Sequence, residues 1–330
     1  MEEHFRRGID HLLDLLQVRP DLVACDLHPQ YVSSRYAREW EEKGVPVVRV
    51  QHHAAHGAAC MAEHRHEGPA LCLALDGLGY GEDGTLWGGE ILLLGPEGCR
   101  RLGHLTPVPQ PGGDRAAREP WRMAASHLRR LRGPAWTELP LAAFRHVSPE
   151  DRAVVETLMA RGVHAPLTSS CGRLFDAAAA ILGFRGAVTY SAQAPMELEA
   201  LAARWRGPAE PYPTPPPEER DGCLVLDPGP LLEALLEDAL KGGAPGRAAR
   251  AFHAGLARLF ADGLEEAARA TGLDRVFLSG GCLQNALLAR LLVEELQRRG
   301  LSPRTHREVP PNDGGIALGQ AAWALRFPGG

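Results

Sequence analysis

Apolar positions along this chain recur with two periods, and the switching between them sets out the elements. Residues 5–18 repeat at helical spacing (Ile9, Leu12, Leu13, Leu15, Leu16), and Pro20 then closes the helix. Residues 22–26 form a short apolar run that reads as a buried strand, followed by His28-Pro29 and a helix around 34–42. A β-branched run over 45–50 leads into Gln51-His52-His53-Ala54-Ala55-His56 and then small residues that read as a helix. Residues 70–76 read as a core strand ending at Asp76, with Gly77-Leu78-Gly79-Tyr80-Gly81 behind it, and 84–94 as the returning strand of a hairpin.

From 107 to 120 the pattern is loop-like, and 121–206 is mostly helical. The proline-rich, charged stretch 207–220 predicts an exposed connection, after which helical patterning resumes over 229–241 and 249–271. The last third holds the clearest α/β unit: strand Val276-Phe277-Leu278, a tight turn Ser279-Gly280-Gly281-Cys282 and a helix over 285–298. Pro310-Pro311-Asn312-Asp313-Gly314-Gly315 then leads into a final helix, 316–325. Strands and helices alternating in this way predict an α/β protein with a parallel or mixed sheet.

Composition narrows the classes. A chain of 330 residues is long enough for two lobes with separate cores, and 45% hydrophobic with 23% charged residues is ordinary for a globular protein. A net charge of -5 argues against broad binding to DNA or an anionic membrane, and no apolar run reaches the length of a membrane span. The seven cysteines are scattered, with no C-x-x-C pair, and read as reduced thiols of a cytoplasmic protein.

Several residues carry candidate chemistry. His52 and His56 stand four apart, so on a helix both imidazoles share a face that can hold one metal ion; a surface histidine pair is the plainer alternative. Asp76 and Asp313 are carboxylates at glycine turns, a layout that suits a loop facing phosphate or metal, or an ordinary turn. Gly172 and Asp176 stand at a helix start, where they can bind a sugar hydroxyl pair or serve as a simple cap with a first-turn acid. Gly280, Gly281 and Asn285 form a strand–turn–helix junction at which backbone N–H groups can meet an anion.

Read together, these segments resemble one family. The stretches are His28-Pro29-Gln30-Tyr31, Gln51 to His56, Asp76 to Gly81, Trp87-Gly88-Gly89-Glu90, Pro111-Gly112-Gly113-Asp114, Arg118-Glu119-Pro120-Trp121-Arg122, Ser169 to Asp176, Ser279-Gly280-Gly281, Gln284-Asn285 and Pro311 to Gly315. In that order they are similar to the C-terminal, TsaD-like domain of HypF, the carbamoyltransferase of nickel–iron hydrogenase maturation. The resemblance implies an actin-like ATPase (ASKHA) fold. Two ribonuclease-H-like lobes, here 1–115 and 116–330 with a helical insertion in the second, would enclose a nucleotide and a metal. The first strands of the first lobe are expected to be missing, or supplied by another polypeptide.

The resemblance also implies roles. His52, His56, Asp76 and Asp313 would hold a divalent metal (Fe, Zn or Mg), Gly172 and Asp176 the ribose, and Gly280, Gly281 and Asn285 the phosphate and adenine side of ATP, AMP or carbamoyl-adenylate. Asp114 and Arg118 match a signature whose role does not follow from the residues. The expected reaction passes a carbamoyl group to the C-terminal cysteine of a HypE-like acceptor, with a YrdC-like domain elsewhere making the adenylate. O-carbamoylation of a small molecule and an inactive nucleotide-binding scaffold are the alternatives. Two places depart from the family pattern. Ala54 stands where the pattern has a histidine, between the two proposed ligands and so leaving the pair intact, and Tyr-Glu-Gly-Gln-Ala-Ala-Met-Glu appears as Tyr190-Ser191-Ala192-Gln193-Ala194-Pro195-Met196-Glu197.

Overall fold

The computed structural model describes residues 2–326. It opens with α1 (Glu2–Leu16), β1 (Val23–Asp26), α2 (Val32–Glu42), β2 (Val47–Val50) and α3 (His52–Glu63). β1 and β2 pair in parallel, from Val23 against Val47 to Asp26 against Val50, as a separate two-stranded sheet. Their C-terminal ends therefore lie side by side, which brings Asp26 next to the start of α3.

Residue 70 begins the large sheet. Its strands are β3 (Ala70–Tyr80), β4 (Leu86–Gly95), β5 (Gly98–Leu105), β6 (Val108–Pro109), β7 (Leu167–Thr168), β8 (Glu218–Arg220), β9 (Cys223–Leu226), β10 (Arg275–Ser279) and β11 (Ser302–Thr305). The helices between them are α4 (Asp114–Arg118), α5 (Trp121–Arg132), α6 (Pro149–Arg161), α7 (Cys171–Ile181), α8 (Gln193–Arg204), α9 (Gly229–Leu240), α10 (Pro245–Thr271), α11 (Ala286–Arg298) and, last, α12 (Ile316–Arg326). The strand order is β11-β10-β3-β4-β5-β9-β8, with β6 and β7 paired beside β4. β10 runs parallel to both β3 and β11, whereas β3, β4 and β5 form an antiparallel meander.

β3 is the spine, and its sequence explains why. Leu71, Leu73 and Leu75 point into a core shared with Phe175, Phe252 and Phe260 of α7 and α10. Ala70, Cys72 and Ala74 point the other way, against Ala54, Ala58 and Met61 of α3 and Trp323 of α12. A strand covered on both faces is apolar throughout, so this run shows no alternation of polar and apolar residues.

The mixed α/β architecture is the one expected, with differences of detail. β3 does not stop at Asp76 but continues to Tyr80, because its pairing with β4 shifts register between Leu75 and Gly79. Asp76 thus sits at a bulge inside the strand, a device that re-aims a side chain. The loop-like stretch 107–120 contains β6 and α4, and the connection 207–220 is pinned by the buried Tyr212, whose hydroxyl meets Asp238. The large sheet takes strands from both sides of residue 115, and the strand pairing places the change of sheet between β2 and β3. Residues 1 and 327–330 of the two expected lobes lie outside the described residues. No helix among the described residues is long and apolar enough to cross a membrane.

Candidate active site

The side chains of His52 and His56 leave the first two turns of α3, which starts where β2 ends. Gln51 caps that start, its side-chain oxygen accepting from the Ala54 N–H at 2.9 Å. Asp76 comes from the bulge of β3, and Asp313 from the turn before α12. One donor atom from each of these four residues lies within 4.8 Å of all the others.

The distances suit one shared ion. His52 Nε2 is 3.4 Å from Asp76 Oδ2 and 3.7 Å from Asp313 Oδ1, and His56 Nε2 is 3.6 Å from each of the same oxygens. A tetrahedron with donors about 2.1 Å from its centre has edges of about 3.4 Å. Both Nε2 atoms are buried without a hydrogen-bond partner, an arrangement proteins avoid unless a ligand satisfies them. On the far side of the ring, His52 Nδ1 lies 2.8 Å from Asp26 Oδ2, and Asp26 Oδ1 accepts from the His28 N–H at 2.8 Å. A carboxylate on Nδ1 directs Nε2 toward the point where the four donors meet, as the usual outer partner of a metal-binding imidazole does. Imidazole with carboxylate leaves Fe, Zn and Mg all open.

Charge balance agrees. Burial opposes a charged His52, but Asp26, Asp313 and Asp76 outweigh it and push its pKa up to about 12. His56 is raised by Asp313 and Asp76 against the same burial penalty. Burial likewise opposes ionisation of Asp76, yet His52 and His56 hold it well below the usual carboxylate range. The same two histidines lower Asp313. With both imidazoles protonated the cluster is neutral, and one divalent cation in place of the two protons would leave that net charge unchanged.

Asp76 and Asp313 also line a cleft of about 730 Å3, within the range of small-molecule sites. Gly172, Gly281 and Asn285 line it, whereas Gly280 and Asp176 do not. Gly172 and Gly280 owe their identity to close approach. A Cβ on Gly172 would stand 2.8 Å from Gly77 Cα, and one on Gly280 (φ +103°) would overlap the Leu75 backbone. This packing delivers the Gly281 N–H to Asp76 Oδ1 at 3.1 Å. Asn285 caps α11 through the Leu288 N–H at 2.9 Å, while its amide nitrogen lies 3.0 Å from His253 Nε2. Asp176 is buried, which pushes its pKa up to about 6, and it accepts from Arg173 Nε at 2.7 Å. Arg173 itself lines the cleft, so Asp176 acts on the cleft through it.

Asp26 and Arg173 were not foreseen as site residues, since neither sits in a spacing that signals ligand binding. Ser170 was also missed: it caps α7 through the Arg173 N–H and donates to the Gly77 carbonyl at 2.7 Å, tying the helix to the bulge. Ser170 directly precedes the helix, which is the ordinary signal of an N-cap. Asp114 and Arg118 are exposed at the two ends of α4, and only the neighbouring Ala117 reaches the cleft.

With the geometry in place, similarity to known proteins decides the family. Residues 72–320 match the family described as "Carbamoyltransferase, Kae1-like Domain, second subdomain", and residues 1–63 match "HypF Kae1-like domain". A "Carbamoyltransferase HypF homolog" of Cupriavidus necator is 41% identical across 98% of this chain and 82% of its own length. The chain belongs to the HypF carbamoyltransferase family.

Other HypF proteins extend the match. "Carbamoyltransferase HypF2" of Cupriavidus necator is 43% identical over 97% of this chain, which spans 41% of that protein. "Carbamoyltransferase HypF" of Rhizobium leguminosarum bv. viciae is 44% identical, and the chain spans 40% of it. A full-length HypF solved in a phosphate- and nucleotide-bound form superposes with TM-score 0.90 at 33% identity, covering 99% of this chain and 50% of that one. T. kodakarensis HypF superposes with TM-score 0.86 at 31% identity, covering 98% of this chain and 42% of that one. The break between the two matched segments falls between α3 and β3, where the strand pairing changes sheet.

The departure from the HypF pattern at residue 192 has a physical consequence. Ala192 takes the pattern's glycine position and still adopts φ +61° at the start of α8, beside the cleft. A left-handed non-glycine costs roughly 1–2 kcal/mol, and glycine's extra unfolded-state freedom returns roughly 0.5–1 kcal/mol of that. Ala192→Gly is therefore expected to raise stability by about 0.5–1 kcal/mol. A urea midpoint that stays put or falls would contradict this.

Proposed function

We propose that this chain performs the transfer half of a HypF reaction, moving a carbamoyl group from carbamoyl-adenylate to the C-terminal cysteine thiolate of a HypE-like acceptor. The observation that carries this reading is the meeting of His52, His56, Asp76 and Asp313 at one edge of a cleft able to take a nucleotide. The Arg173 guanidinium lines the cleft and would meet the anionic part of the adenylate, with Asp176 fixing Arg173 in place. A divalent ion, once bound by the four side chains, supplies Lewis-acid polarisation of the carbamoyl carbonyl. The acceptor sulfur attacks the carbamoyl carbon, the bond to the phosphate oxygen breaks, and AMP leaves with the electron pair.

The nucleophile is assigned to the partner because the chain's own thiols are poorly suited. Burial pushes Cys60 and Cys99 up to about 12 and raises Cys72 well above the usual thiol value, and Cys282 is raised by its contact with Cys171 and by burial. A thiol held protonated is a weak nucleophile at neutral pH. All seven cysteines are free, in keeping with a cytoplasmic setting. Adenylate formation is assigned to a YrdC-like domain elsewhere.

The deciding experiment is a single-turnover reaction of the metal-loaded chain with supplied carbamoyl-adenylate and a HypE-like acceptor. Mass spectrometry is expected to show the carbamoyl group on the acceptor's C-terminal cysteine, with AMP released in equal amount. Tight adenylate binding with an unmodified acceptor would favour the inactive scaffold.

A further inference from the structure

Three of the four proposed ligands sit on rigid elements: His52 and His56 on α3 and Asp76 on the central strand. Asp313 is different. Its side chain is 77% exposed, and it follows the irregular stretch 306–312 between β11 and α12. Something must hold that stretch, since a carboxylate misplaced by about 1 Å leaves the range of metal–oxygen bonds.

The last residue of α3 supplies a hold. Glu63 Oε1 accepts from two successive backbone N–H groups, Arg307 at 2.8 Å and Glu308 at 2.5 Å. Its Oε2 faces His306 Nδ1 at 3.2 Å, and His306 Nε2 lies 2.8 Å from Ser279 Oγ at the end of β10. The two N–H bonds to Oε1 are hydrogen bonds to an ionised carboxylate, the stronger kind. Burial alone would raise its pKa; the Glu308 and Arg307 N–H groups outweigh that and lower it. Further along, the Gly280 N–H donates to the Pro311 carbonyl at 2.9 Å, and Asn312 Oδ1 accepts from the Gly314 N–H at 3.0 Å. Glu63 lies seven residues past His56, roughly 10 Å along the helix axis. One helix thus carries both imidazoles and the clamp on the loop that brings the facing carboxylate.

We propose that Glu63 is a positioning residue for the metal site, clamping residues 306–308 so that Asp313 meets His52 and His56. The inference rests on the reading that these side chains bind a metal, and its test separates the two. Cobalt(II) alone is titrated into the full chain, following heat and the visible spectrum. Glu63→Ala is expected to weaken binding about 10- to 100-fold, the usual range for an outer partner of a ligand, and to move the spectrum toward that of Asp313→Ala. Glu63→Gln keeps a carbonyl oxygen for the two N–H groups and is expected to restore near wild-type affinity. In the Asp313→Ala background, Glu63→Ala should weaken binding no further, since its effect runs through Asp313.

A loss of the same size in both backgrounds would overturn the proposal, as would unchanged affinity in Glu63→Ala. If Glu63→Ala does not fold, Glu63→Asp, which shortens the reach but keeps the charge, takes its place in the same cycle. Cobalt that binds the wild type and the His52→Ala chain equally well would instead sink the metal reading, and the clamp with it.

Discussion

His56→Ala is expected to abolish tight binding of a divalent metal and, with it, carbamoyl transfer, while the fold persists. The imidazole leaves a helix position where alanine is the best helix former, so α3 itself is not endangered. What is lost is one of four donors, together with the positive partner of two carboxylates that face the same point. Outer partners of metal ligands cost about 10- to 100-fold in affinity when removed, and a direct ligand should cost at least the upper figure. The control is His53→Ala. His53 is fully buried beside the pair, but its Nδ1 is 3.1 Å from Gln51 Nε2 and it is not one of the four converging residues. That variant should still take up one equivalent of metal. Metal content after dialysis, with circular dichroism as the check on folding, reads both variants; equal uptake by His56→Ala and wild type would contradict the assignment.

Gly319→Ala is expected to do the greater damage to stability. α12 crosses α3 at this residue, and an added Cβ would overlap the carbonyl oxygen of Ala55 and stand 3.1 Å from the Ala59 nitrogen. Both obstacles are backbone of a helix whose residues are almost all buried, so neither can rotate aside. Overpacking a tight core commonly costs roughly 1–3 kcal/mol, and with only backbone to yield the loss should reach about 3 kcal/mol. Because the displaced helix follows directly from Asp313, metal affinity should fall as well. An unchanged urea midpoint for Gly319→Ala would mean that the two helices do not cross here.

How much of this was legible in the sequence depends on range. The period of the apolar positions located α2, α3, α11 and the spine strand β3, because each buries a face whose spacing is local. β5 and β11 were not found: Gly98–Leu105 is mostly polar and glycine, and Ser302–Thr305 contains a proline that only an edge strand tolerates. β9 could have been found, since Asp221-Gly222 before it adopts positive φ at both residues, the turn that Asp-Gly favours in a hairpin. The pairing of His52 with His56 is a helix-spacing argument and needed no tertiary information. Asp76 and Asp313 were drawn to that pair only by family resemblance, because no local pattern brings residues 76 and 313 together. Asp26 and Glu63 act through geometry between elements, which a single sequence does not display.

These four side chains are proposed to share one cation at the edge of the cleft. Crystals of the chain loaded with zinc or iron, measured at the absorption edge of the metal, test it most directly. A single anomalous peak is expected about 2.0–2.2 Å from His52 Nε2, His56 Nε2, Asp76 Oδ2 and Asp313 Oδ1. A peak elsewhere, or one held by the two imidazoles with Asp76 and Asp313 turned away, would contradict it.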